Sequence, residues 1–179
     1  PQDMTRDVLH IMAKHPNICN YIHLPVQSGS NDVLKAMNRQ HTREEYMALI
    51  DDIKRLLPDC GISQDMIAGF PSETEQDHKD TLSLMEYVTY DFGFMFMYSE
   101  RPGTAAAKKL EDNIQDDIKK RRLQEIVDMQ QKHGRIRNEQ QLGKTVEVLI
   151  EKTSKRSEQQ WSGRAQQNTV VVFPKDDYK

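Results

Sequence analysis

The chain has 179 residues, of which 36% are apolar and 30% charged, enough for one domain of ordinary size with at most a small appendage. Its 25 Lys and Arg against 28 Asp and Glu give a formal charge of -3, which excludes a general attraction to nucleic acid and confines any RNA contact to a local patch. Two cysteines, Cys19 and Cys60, exclude a disulfide framework and a cysteine-rich metal site built from this chain alone, and no apolar run approaches the roughly 20 residues of a membrane helix.

Pro1-Gln2-Asp3 and Asp177-Tyr178-Lys179 are abrupt ends, so the chain reads as a piece of something larger. Thr5 is placed to cap a first helix with Val8, Leu9 and Met12 on one side, ended by Pro16. Tyr21 to Val26 reads as a short strand, cut off by Gln27-Ser28-Gly29-Ser30, with Ser30 able to cap a helix over Asp32–Met37. Thr42 and Glu45 form a capping box, and the helix behind them carries Tyr46, Leu49, Ile50, Ile53 and Leu57 on one stripe until Pro58. Ile62 to Phe70 is the next strand, leaving through Gly69-Phe70-Pro71. Thr74 and Asp77 repeat the cap, and Leu82, Met85 and Val88 give the helix its buried face. Phe92 to Tyr98 is apolar on both alternations, as in a parallel strand covered on both faces.

Strand exits separated by single helices are βαβ spacing, which predicts a parallel α/β unit with ligands at the carboxyl ends of its strands. The exits are Gln27-Ser28-Gly29, Gly69-Phe70-Pro71 and Ser99-Glu100-Arg101-Pro102-Gly103, and they should converge on one edge. A long helix then runs from Asn113 to about Gln141, with a thin apolar stripe of Ile118, Leu123, Ile126, Val127 and Met129. Seven basic and two acidic residues lie between Lys119 and Arg137. Beyond Gly143, short strands at 145–150 and 169–173 flank a polar turn region, and residues 142–179 hold seven basic groups against five acidic ones. This shift in composition places the domain boundary between 1–141 and 142–179.

His23, between Ile22 and Leu24, reads as a neutral packed or hydrogen-bonded histidine near the mouth of the sheet, or as a catalytic or ligand-contacting group. Gln27 is too long for a tight cap and is a candidate hydrogen-bonding group for a ligand. Glu73 and Asp77, at a helix opening, read as capping groups that compensate the dipole. Arg39 and Arg101, close behind strand exits, suit a carboxylate or phosphate through a two-pronged bond, or a salt bridge across the loops. Lys152, Lys155 and Arg156, with Trp161, Arg164 and Asn168, make a candidate RNA contact in which bases stack on the indole and cations hold the backbone; a solvated charged loop is the alternative. There is no phosphate-binding Gly-rich loop and no nucleophile–base arrangement, so no catalytic side chain and no metal ligand is named.

The segments Tyr21–Ser30, Met37-Asn38-Arg39, Asp65–Thr74 and Tyr98–Thr104 together resemble the methylthiotransferase branch of the radical S-adenosylmethionine enzymes, and the stretch after about Leu142 resembles the start of a TRAM domain, a small RNA-binding β-barrel. The resemblance implies the C-terminal half of a partial (βα)6 radical-SAM barrel followed by an incomplete all-β TRAM domain. It implies S-adenosyl-L-methionine as cofactor and two [4Fe–4S] clusters bound outside this chain, because Cys19 and Cys60 do not match the cluster ligands. By the same resemblance Gln27, Ser28, Arg39, Gly69, Phe70, Met97, Tyr98 and Ser99 would bind the cofactor, Arg39 at its carboxylate. Arg101, Lys152, Lys155, Arg156, Trp161, Arg164 and Asn168 would meet the substrate RNA. The partners implied are tRNA and an external electron donor such as flavodoxin or ferredoxin, in a monomeric cytoplasmic enzyme without membrane attachment. Gly163-Arg164, Asn168 and Val170–Phe173 are most similar to the branch members that act on N6-isopentenyladenosine-37 of tRNA. Action on threonylcarbamoyladenosine or a ribosomal protein, or a role as a non-catalytic RNA-binding module, are the alternatives. Taken alone, the chain is expected to be inactive.

Overall fold

The computed structural model describes residues 3–175, so Pro1 and Gln2 at one chain end and Asp177-Tyr178-Lys179 at the other lie outside the described residues. In chain order the elements are α1 (Arg6–Lys14), β1 (Tyr21–His23), α2 (Asn31–Ala36), α3 (Arg43–Leu56), β2 (Gly61–Ala68), α4 (Glu75–Val88), β3 (Phe92–Met97), α5 (Ala105–Lys109), α6 (Asp116–Glu139), β4 (Val148–Ser154), β5 (Ser157–Ala165) and β6 (Val170–Pro174). The first three strands form a parallel sheet in the order β1-β2-β3, and the last three an antiparallel sheet in the order β4-β5-β6.

Both predicted capping boxes are present, Thr42 with Glu45 and Thr74 with Asp77. Thr5 stands at the N-cap of α1 but makes no side-chain cap bond. The core lies between the sheet and its helices: Ile22, Leu24, Val26, Ile62, Met66 and Ala68 meet Leu9, Tyr46, Ile50, Ile53, Leu84, Met85 and Ile126. Tyr46 and Tyr90 are wholly buried there without loss, because Tyr90 donates to the Tyr46 hydroxyl and Tyr46 donates to the Leu24 carbonyl, both at 2.9 Å.

Several elements differ from the sequence expectation. β1 stops at His23 rather than Val26: the Leu24 N–H still donates to the Ser63 carbonyl at 2.8 Å, and one extra residue then shifts the register so that Gln27, not Val26, is the next to pair. Pairing resumes at Gln27, whose N–H donates to the Asp65 carbonyl at 2.9 Å and whose carbonyl accepts from Ile67 at 3.0 Å. β3 is not covered on both faces: Phe94 and Phe96 are 54% and 51% exposed, and only the side bearing Gly93 and Met95 meets the helices. α5 was not foreseen, and α6 begins at Asp116 rather than Asn113.

The buried face of α6 is more polar than the apolar stripe: Lys119, Arg122, Gln130 and His133 are buried beside Ile126, while Leu123 and Met129 of the stripe are partly buried and pack against the core. In the second sheet the polar region read as a turn is β5, stabilised across the strands by pairs such as Trp161 with Phe173.

Candidate functional site

The three predicted strand exits do converge. Gln27 after β1, Ile67 and Phe70 at the end of β2, and Met97-Tyr98-Ser99 at the end of β3 line one cleft of about 740 Å³. Its other wall is Lys35–Arg39 from α2 and the loop behind it, with Arg101, Thr104 and α5 closing the far side. The parallel register puts these groups side by side, since Ala68 pairs with Met97 and the Tyr98 N–H donates to the Ala68 carbonyl at 2.8 Å.

Gln27 is held with φ 75°, in the left-handed region that a residue with a Cβ enters at a cost on the order of 1 kcal/mol. The ladder bonds on both sides of its peptide fix that conformation and leave it 8% exposed at the cleft wall. Phe70 and Tyr98 meet edge to face with centroids 5.1 Å apart, a flat aromatic corner beside the polar exits. Burial, with Asp112 and Glu100 nearby, pushes the Tyr98 phenol up, so it stays a neutral donor. Lys35, Arg39, Arg101 and Lys109 supply four cations to the lining, against the single carboxylate of Asp65. The combination suits a ligand with a heteroaromatic end and an anionic end.

Two of the predicted contacts have other work. Ser28 is wholly buried, with its Oγ accepting the Ser30 N–H at 3.2 Å and lying 3.3 Å from Thr81 Oγ1, so it builds the turn and does not line the cleft. Gly69 has φ 73°, and a Cβ there would run into the Lys119 side chain; it lets α6 approach the sheet and is likewise absent from the lining. Its N–H donates to Glu73 Oε2 at 2.7 Å. Glu73 is therefore not a cap: its carboxylate turns inward to Arg122 Nη1 at 3.0 Å, while Asp77 alone serves the helix opening. Burial first, and then despite the Gly69 and Arg122 bonds, holds the Glu73 carboxyl above its ordinary range.

The sequence reading missed Lys35, Asp65, Ile67, Phe96 and Lys109 as lining residues. The i, i+2 alternation of Ser63, Asp65 and Ile67 in β2 was the available signal for two of them. On the second sheet the six predicted RNA contacts do not act alike. Lys152, Lys155 and Arg156 are exposed around the β4–β5 turn. Trp161 has Lys175 Nζ 4.2 Å from its ring centre, which occupies one face of the indole. Arg164 is spent within the chain, on Glu151 at 3.4 Å and on the Asn168 carbonyl and side-chain oxygens at 3.1 and 2.7 Å.

The cysteines stand apart from the cleft. Cys60 is buried and its thiol is pushed up to about 12 by burial, the opposite of what a metal thiolate needs. Cys19 is exposed before β1, at the other end of the strands from the cleft. Among the described residues no group of three or more His, Cys, Asp or Glu is set to hold a metal.

Comparison with known proteins follows the same division. Residues 1–85 match the Radical SAM superfamily and residues 139–178 the TRAM domain. The whole chain is 65% identical to part of a tRNA-2-methylthio-N(6)-dimethylallyladenosine synthase of Flavobacterium johnsoniae, 66% to that of Christiangramia forsetii and 52% to that of Bacteroides fragilis. It spans 37%, 37% and 39% of their respective lengths. Among solved structures, coproporphyrinogen III oxidase from Escherichia coli, described as a radical SAM enzyme, superposes with a TM-score of 0.60 at 25% identity, over 75% of this chain and 31% of that one. Parallel sheet, strand-exit cleft and sequence agree: residues 1–85 are similar to the Radical SAM superfamily and residues 139–178 to the TRAM domain.

Proposed function

We propose that this chain is the cofactor-pocket and RNA-contacting portion of an enzyme that transfers a methylthio group to C2 of N6-isopentenyladenosine-37 in tRNA. The observation that carries this reading is that the strand-exit cleft and the TRAM sheet occur together in a chain similar from end to end to synthases named for that product.

The cleft fits S-adenosyl-L-methionine, which with a reduced iron–sulfur cluster supplies the radical and methyl chemistry of the superfamily. Phe70 and Tyr98 would flank the adenine, with the peptide groups of Met97 and Ser99 at its edge. Gln27 would hydrogen-bond the ribose or methionine portion, and Arg39 would hold the carboxylate through its guanidinium fork. Arg101, on the far wall, would face a phosphate of the incoming RNA. Enclosure of this cleft by the remainder of the enzyme would keep water from a reactive intermediate. Cys19 and Cys60 do not fit cluster ligation, so two [4Fe–4S] clusters would be held by residues outside this chain. Lys152, Lys155 and Arg156 would grip the tRNA backbone, and an electron donor such as flavodoxin or ferredoxin would reduce the cluster. The domain division proposed is 1–141 and 142–179, in a monomeric cytoplasmic enzyme; no helix among the described residues is long and apolar enough to cross a membrane.

The test is nucleoside analysis of tRNA from a strain lacking the full-length gene. Isopentenyladenosine should persist while its 2-methylthio form disappears. Loss instead from threonylcarbamoyladenosine would move the assignment to that substrate, and an unchanged profile would reject both.

A further inference from the structure

The inner face of the parallel sheet carries a polar cluster that the cofactor cleft only partly uses. His23 on β1, with Ser63 and Asp65 on β2, lies on the side of the sheet that the helices leave open. The register aligns His23 with Ser63 and Asp65 with Phe94, so three neighbouring strands contribute to one patch. Ser63 Oγ is 2.5 Å from the Tyr21 hydroxyl and 2.7 Å from His23 Nδ1, which fixes the imidazole from behind. The opposite nitrogen, Nε2, faces Asp65 Oδ1 at 3.6 Å. With Nδ1 accepting the Ser63 hydroxyl, the ring proton sits on Nε2, the nitrogen on which a facing carboxylate favours it.

At 3.6 Å the two groups attract each other but do not form a hydrogen bond, so each retains capacity for a third party. Their side chains are 39% and 27% exposed. Beside them Phe94 meets His23 edge to face at 6.3 Å, and Phe94 and Phe96 are each more than half exposed. A donor and an acceptor next to each other, on an open aromatic surface, have a specific complement. The edge of an adenine presents a ring-nitrogen acceptor beside an N6–H donor, and a base needs a flat apolar surface to lie against. One N6–H survives when the nitrogen carries an isopentenyl group. Guanine presents acceptors only at the corresponding major-groove edge and would set its oxygen against the Asp65 carboxylate.

We propose that His23 and Asp65 read the edge of the target purine, His23 Nε2 donating to a ring nitrogen and Asp65 accepting the N6–H, with Phe94 and Phe96 as the surface on which the base rests. This rests on the tRNA-adenosine reading above and deepens it. Asp65 also borders the cofactor cleft, so a base held there lies next to the group that must react with it. Ser63 is a positioning residue, since it acts only by orienting His23.

The test uses the full-length protein with its cofactors bound, and two anticodon stem-loop RNAs. One carries isopentenyladenine at the target position; the other carries unsubstituted purine there, which keeps the ring nitrogens and lacks the exocyclic N–H. The parent should bind the first at least about fivefold more tightly. Asp65→Asn, whose amide can still accept, should retain part of that preference, and Asp65→Leu should lose it. His23→Phe should weaken binding of both RNAs, and His23→Gln, which keeps an N–H, should recover part of the loss. If the parent discriminates and Asp65→Leu discriminates equally, the edge-reading pair is overturned while the enzyme assignment stands. If the parent binds neither RNA and leaves isopentenyladenosine unmodified, the assignment itself falls and takes the inference with it.

Discussion

Asp77 joins two turns that would otherwise be independent. Its carboxylate accepts the Ser30 hydroxyl at 2.5 Å, the Thr74 N–H at 2.7 Å and the Thr74 hydroxyl at 2.6 Å, tying the exit of β1 to the opening of α4. Burial alone would raise its pKa, but the bonds from Ser30 and Thr74, with Arg122 nearby, outweigh it and hold the carboxyl below the ordinary carboxylate range. A pKa depressed by folding means that the ionised form is favoured in the folded state. The stabilisation is therefore present above the unfolded value and is lost as pH falls through the folded one. Urea unfolding of the full-length protein at a series of pH values should show Asp77→Asn less stable than the parent by roughly 1–2 kcal/mol at pH 7, with the gap narrowing below pH 4. A gap of constant size would show that the charge is not what matters. The local half of this arrangement was legible, since Thr74 and Asp77 are three residues apart. The Ser30 bond spans 47 positions and left no trace in the sequence.

At the scale of elements, α6 is seated by polar groups. Lys119 Nζ reaches Asp112 at 2.5 Å, Arg122 reaches Glu73 at 3.0 Å, His78 Nε2 lies 2.7 Å from Glu125, and Gln130 donates to the Tyr90 carbonyl at 3.0 Å. Four of its seven basic residues, Lys119, Arg121, Arg122 and Arg137, are paired with acids of the same chain, so the positive run is mostly internal bookkeeping and not an RNA face. Periodicity could not disclose this. It weighs apolar residues, whereas these side chains are buried because their partners come from α4, the Gly69 turn and the loops before β3 and α6. The same limit explains β3: an apolar run has identical composition whether helices cover both of its faces or one face is left for a ligand. Helices with a dominant apolar stripe, such as α3, were legible almost to their ends. Arg122→Met should cost about 3–5 kcal/mol, because it leaves the buried Glu73 carboxylate unpaired, and adding Glu73→Leu should restore most of that loss. Thermal melts of the two variants check it; equal destabilisation would show that the pair is not coupled.

Across the whole molecule the two sheets touch at a defined place. A Cβ on Gly61, the first residue of β2, would come within 2.7 Å of the Gln167 carbonyl in the β5–β6 turn, and the Gly61 N–H donates to the Asn20 carbonyl at 2.9 Å. Lys144 lies 3.8 Å from Asp59 on the same side, and the chain between the sheets is exposed from Leu142 to Glu147. Gly61→Ala should loosen that contact and speed tryptic cleavage after Lys144 several-fold, as read by mass spectrometry of early digests. Cleavage at the parent rate would mean that the carbonyl moves aside without separating the sheets. Convergence of the strand exits was legible because βαβ topology dictates it, whereas the placement of the second sheet depends on a turn 106 positions from Gly61 and was not.

Among the described residues β1 and β3 are the outer strands of the parallel sheet, and β4 and β6 those of the antiparallel one. The outward peptide groups of β1 and β3 are sockets of fixed spacing that suit a further strand. Lengthening the polypeptide therefore requires no remodelling of the existing ladders; extra strands can dock at these margins while the cleft keeps its dimensions.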